Sequence, residues 1–108
     1  MKKPLIIKSK IMPKGYCLNL FGMLFTRDKS WIDQDVINHE RIHNAQQPEL
    51  LFIPFYILYI LEWLVRLLQY RNWNKAYTNI SFEREAYTNG HNHSYLPARR
   101  HYAFLKYL

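Results

Sequence analysis

The chain has 108 residues, with 15 Lys and Arg against 8 Asp and Glu, giving a formal charge of +7. This length provides one domain, 1–108, and excludes paired lobes around a deep cleft, so any substrate groove should be shallow or shared with a partner. The single cysteine, Cys17, excludes an intrachain disulfide.

Met1-Lys2-Lys3-Pro4-Leu5-Ile6-Ile7-Lys8 has too short an apolar run for a secretory signal, so a cytoplasmic or membrane-peripheral location is expected. β-like runs at 5–7, 16–20 and 23–26 are separated by Pro13-Lys14-Gly15 and by Phe21-Gly22, which predicts a small antiparallel sheet. Cys17 suits such a strand as a small buried hydrophobe. An edge of the sheet is equally suited to aligning an extended peptide and to covering the helices.

Arg27-Asp28-Lys29 turns the chain into a helix for which Ser30 and Asp33 are alternative N-caps. Pro48 should close it after about 13 residues. Inside it stands His39-Glu40-Arg41-Ile42-His43, while Val36, Ile37 and Ile42 offer apolar contacts. Residues four apart stack on a helix, so both imidazoles can reach one cation while Glu40, about 100° round, faces water bound to it. The bland alternative is two surface histidines on an amphipathic helix.

Between 50 and 68 only Glu62 and Arg66 are charged. A helix of that length, about 29 Å, could cross a hydrocarbon core. A lone span, however, would put His39 and His43 on one side of the bilayer and any later metal ligand on the other. The expectation is therefore a central core helix over 49–70, kinked at Pro54, with one side docking against a second subunit or a membrane surface. The aromatic content of 17% and the +7 charge suit anionic lipid. Apart from Lys2-Lys3 and Arg99-Arg100 the basic residues are scattered, so no specific nucleic-acid contact is expected.

A catalytic zinc commonly takes three protein ligands, so another donor is required. A helix predicted over 75–89 and stopped by Gly90 carries Glu83 and Glu85 on opposite sides. Ala76, Asn79, Glu83, Ala86 and Tyr87 share a face whose alanines allow close approach to the first helix, which favours Glu83 over Glu85. For either glutamate an exposed ion pair is the alternative. His91-Asn92-His93 then forms a polar loop. A final helix over 98–107 should turn Arg99, Arg100 and Lys106 outward and pack Tyr102, Phe104 and Leu105.

His39-Glu40-x-x-His43 followed by Glu83-x-x-Ala86 resembles the gluzincin zinc metallopeptidases, in which two histidines and a glutamate from a later helix hold the metal. Several members read Glu-x-x-Ala-Asp or Glu-x-x-Ala-Asn in the second element. Aligned on Ala86, Tyr87 stands in place of that Asp or Asn and would support the site differently. His43-Asn44-Ala45-Gln46-Gln47 is also similar to the His-x-x-Gln-Gln ending of some compact zincin-like bacterial domains. The resemblance spans roughly 30–90, and its specific content is two short motifs.

Elements and resemblance together imply an α+β chain: a mainly helical zincin-like core with a small N-terminal antiparallel sheet. Strands occupy 1–29, metal-site and core helices 30–90, and a loop and helix 91–108. The resemblance implies Zn2+ on His39, His43 and Glu83, Glu40 as general base, and a peptide or protein substrate. Tyr87, Asn79, Gln47 and His91 are candidates to support the ligands or donate to an oxyanion, with Tyr77 and His93 nearby in sequence. The alternative is a zincin-like metal-binding regulatory or interaction module without turnover, at a membrane surface or in a homo-oligomer through 49–70.

Overall fold

The computed structural model describes residues 5–12 and 16–108. The first four residues, Lys2-Lys3 among them, and the expected turn at Pro13-Lys14-Gly15 lie outside the described residues. The chain is α+β and mainly helical, with one three-stranded sheet.

Strands β1 (Ile6–Lys8), β2 (Cys17–Leu20) and β3 (Met23–Thr26) are ordered β1-β3-β2. Phe21 and Gly22 both have positive φ, 53° and 86°, as a two-residue hairpin with the native twist requires, and they join β2 to β3 antiparallel. β1 instead runs parallel to β3, with Ile6 opposite Leu24, so the sheet is mixed and not wholly antiparallel as expected. The tight hairpin commits one edge of β3 to β2. β1 takes the other edge, and β2 is left at the margin of the sheet.

Asp33, not Ser30, caps α1 (Gln34–Glu49) by accepting the Val36 N–H at 2.9 Å. Pro48 lies within the last turn and does not end the helix, which is therefore longer than expected at 16 residues. A proline so near the C-terminus removes one N–H and little else. Leu51 and Phe52, with φ of 59° and 63°, then reverse the chain, a conformation costing an L residue roughly 1–2 kcal/mol.

α2 (Ile53–Tyr70) corrects the expectation of a central, kinked core helix. Pro54 sits in its first turn, where its missing N–H is harmless, and starts the helix instead of bending it. Phe55 alone in α2 is fully buried. With Tyr59 and Trp63 it covers a core built from Ile80, Phe82 and Phe104, so α2 forms an outer wall.

The helix expected over 75–89 is two helices, α3 (Trp73–Thr78) and α4 (Ser81–Asn89). Asn79 ends α3 and Ile80 is extended. Glu62 on α2 gives α4 a separate start by accepting the Ser81 N–H and hydroxyl, each at 2.6 Å. Gly90 has a right-handed φ of −60° and so does not act as a left-handed helix stop. A Cβ there would lie 3.0 Å from the Ala86 carbonyl oxygen of α4 itself and at an ordinary contact distance, 3.5 Å, from His39 Cβ, so the tight point is the end of α4's own last turn.

The chain closes with α5 (Tyr95–Ala98) and a 3₁₀ turn, Ala103–Tyr107, in place of one helix over 98–107. Phe104 packs as expected, but Tyr102 and Leu105 are exposed. Arg99, expected to face solvent, is turned inward between Glu49 and Glu85, because two buried carboxylates require a cation.

Candidate metal centre

α1 presents His39 and His43 one turn apart towards the first turn of α4, from which Glu83 projects. His39 Nε2 and His43 Nε2 are 3.2 Å apart, and Glu83 Oε1 lies 3.1 and 3.2 Å from them. Ligand atoms on a tetrahedral cation 2.0–2.1 Å away are separated by about 3.3 Å, so the triangle has the dimensions of one coordination face. The three side chains are largely buried, and the group could hold a metal ion.

Electrostatics agree with the geometry. Two imidazole nitrogens at this separation cannot both present lone pairs unless positive charge lies between them. Burial pulls His43 towards its neutral form, but the charge and hydrogen bond of Glu83, with Glu40 and Gln46, outweigh it and raise the imidazole to about 9. Burial likewise opposes the charge on Glu83, yet the His43 charge and the hydrogen bonds from both rings hold its carboxyl well below the usual glutamate range. The three residues fit a divalent cation, which would replace the proton they share.

The surroundings fix the ligand atoms. Gln46 Oε1 lies 2.8 Å from His43 Nδ1, which orients the ring so that Nε2 faces the centre. The Gln46 amide in turn donates to Phe82 O at 3.0 Å and Glu85 Oε1 at 2.9 Å. Tyr59 on α2 donates its hydroxyl to Glu83 Oε2 at 2.5 Å, leaving Oε1 for the imidazoles. Asn38 donates to the carbonyls of Asn89, Gly90 and Asn92 and ties α1 to the end of α4. Neither Gln46, Tyr59 nor Asn38 stands among the sequence candidates. Tyr59 lies in another element altogether, and only its tertiary placement reveals it.

The candidates named for support separate into near and far. Tyr87 lies against the site, its ring centroid 4.5 Å from that of His39. Gln47 faces away, donating to Asn19 at 3.0 Å and accepting from Tyr56 at 3.1 Å. Asn79 is off the site because the break between α3 and α4 rotates it towards Arg84. His91 and His93 both pair with Asp35, at 2.8 and 2.6 Å. Glu85 is buried, not an exposed ion pair, and is committed to Arg99, Tyr95 and Gln46.

Glu40 is buried with its carboxylate 4.0 Å from His39 Nε2. Burial is the main cause that raises its pKa, reinforced by Glu83 and opposed by the two imidazoles and Asn19. Asn19 on β2 holds the helix here, donating to Glu40 O at 3.2 Å and Asn44 Oδ1 at 2.8 Å.

Two cavities meet at Glu40. One, of about 550 Å³, runs between β2 and α2 along Leu18, His43, Tyr59 and Trp63. The other, of about 390 Å³, opens on the His39 side between Trp31, Tyr87 and His91. Tyr16, Cys17 and Tyr77 border both. The Cys17 thiol is pushed up to about 12 by burial and then by Glu40, so it remains protonated. The expected shallow groove is therefore a pair of ligand-sized spaces with the metal triangle between them. Comparison of the chain with protein-family models, curated proteins and solved structures gives no match.

Proposed function

We propose that the chain is a small zinc-dependent hydrolase with a zincin-like core, most simply a metallopeptidase. The observation that carries this reading is the His39–His43–Glu83 triangle with the Glu40 carboxylate 4.0 Å from one of its corners. Two imidazoles and a carboxylate are a donor set suited to Zn2+, and three protein ligands leave a fourth position for water or substrate.

When bound, Zn2+ supplies a lowered pKa for water and polarises a carbonyl oxygen. Glu40 would take the proton from the attacking water and return it to the leaving amine; its raised pKa suits both halves of that task. Tyr59 and Gln46 keep Glu83 and His43 aimed while charge moves. Tyr77 and Tyr87 lie on the cavity walls with their hydroxyls bonded to each other, which leaves the Tyr87 hydroxyl to donate to an oxyanion.

β2 lies at the margin of the sheet beside both cavities, which supports an extended peptide lying along it. The apolar lining of the larger cavity supports a bulky apolar side chain next to the scissile bond. The decisive experiment combines metal analysis with a peptide-library hydrolysis assay on wild type, His39→Ala and Glu83→Ala. Stoichiometric zinc and turnover in wild type, both lost in each variant, are expected. Zinc retained by Glu83→Ala, or stoichiometric zinc without hydrolysis of any library peptide, would overturn the reading, the latter in favour of a binding module.

A further inference from the structure

The outer side of α2 is an inverted surface. At about 100° per residue, Ile57, Leu58, Leu61, Leu64, Val65 and Leu68 fall on one half of the helix, and all are exposed. The residues that would ordinarily face water point inward: Glu62 caps α4, and Arg66 pairs with Glu62 at 3.5 Å. α2 is long and apolar enough to cross a membrane, and 6% of its residues are buried within the chain. A contiguous aliphatic face of this size calls for an apolar covering.

The chemistry of the face selects the occupant. Its outward residues are aliphatic, without the Trp, Tyr, Met or Arg anchors that dominate protein–protein contacts. Amphipathic and basic groups gather instead at one end, at Tyr70, Arg71, Trp73 and Lys75, with Lys75 Nζ 4.7 Å over the Tyr70 ring. That is the arrangement of residues at headgroup level. All eight acidic residues are described; Glu40, Glu49, Glu62, Glu83 and Glu85 are turned inward, leaving Asp28, Asp33 and Asp35 to offset a surface rich in Lys and Arg. Such a surface complements anionic headgroups.

The helix cannot thread the bilayer as a single span. His39 precedes it and Glu83 follows it, and these side chains lie 3.1 Å apart, so both ends of α2 return to one side. We propose that α2 docks the protein on an anionic membrane, lying in the plane of the leaflet with its aliphatic side in the acyl region. This does not rest on the hydrolase reading. Ile60, exposed on the rim of the same face, also lines the larger cavity, which Glu40 borders as well.

The test is flotation of the full chain with phosphatidylcholine vesicles, with and without phosphatidylglycerol, beside the double variant Leu61→Gln/Leu64→Gln. Both positions are exposed, so circular dichroism and Tm should match wild type. Wild type should float with the anionic vesicles, and the double variant should partition at least about tenfold more weakly. Wild type that fails to float, or a double variant that floats equally well, overturns the proposal. Sedimentation equilibrium showing a wild-type dimer that the double variant dissociates, without vesicle binding, would assign the face to a second copy instead.

Discussion

Glu62 holds Ser81 with both carboxylate oxygens, one on the backbone N–H and one on the hydroxyl, each at 2.6 Å. Through that contact the outer helix sets where α4 begins, and hence where Glu83, in its first turn, points. Glu62→Gln keeps the shape but removes the charge that Ser81 and Arg66 both bind. A loss of about 2 kcal/mol in denaturant unfolding is expected, with weaker metal binding. Unchanged stability would mean that α4 starts there for another reason.

Glu40→Gln preserves the size of the side chain and removes the base. Turnover should fall by roughly 10²–10⁴ while metal content stays at the wild-type level. Parallel metal analysis and initial-rate measurements separate this outcome from simple loss of the site.

Tyr59→Phe deletes the hydroxyl on Glu83 Oε2 and little else. Metal affinity, read by chelator competition, should drop about 10–100-fold. Asn79→Ala, on a residue that the helix break carries away from the centre, should leave that affinity unchanged.

Glu49 should contribute to acid sensitivity beside Glu83, whose carboxyl is also held low. Burial opposes its charge, but hydrogen bonds from Arg99 and the Tyr102 N–H, with the Arg99 charge, hold its carboxyl below the ordinary 4.5. A depressed folded pKa contributes stability that is complete above about pH 4.5 and is lost as pH falls through the folded value. Glu49→Gln should cost about 2 kcal/mol at neutral pH and flatten the acid limb of stability against pH. An unchanged acid limb would assign the sensitivity to other carboxylates.

Gly90→Ala should lower Tm, because the added methyl meets the Ala86 carbonyl oxygen at 3.0 Å, closer than ordinary contact. The cost should be roughly 1–3 kcal/mol. Wild-type stability would show that the last turn of α4 yields to the methyl.

What the sequence made legible was local. Asp33 announces α1 by its own hydrogen bond, and Phe21-Gly22 announces a hairpin by the backbone conformation it can adopt. What stayed hidden depended on contacts between distant segments. Asn79-Ile80 carries no proline or glycine, and the break there follows from a carboxylate on another helix. Gln46 and Gln47 lie three and four residues after His43, so helical spacing leaves them equivalent until α4 is in place to choose between them. Arg99 looks like a solvent-facing charge because nothing nearby in sequence shows that Glu49 and Glu85 are buried. For α2, the apolar run signalled a side left for a second subunit or a membrane surface, but not that Glu62 would turn inward to hold Ser81 on a later helix.

Arg99 also imposes an order of events on biogenesis. Until translation has passed it, Glu49 and Glu85 have no guanidinium to neutralise them, and Glu85 is joined through Gln46 to the imidazole of His43. A nascent chain that has made both histidines and Glu83 but not yet Arg99 therefore has every candidate ligand and still lacks the cation that settles the carboxylates behind them.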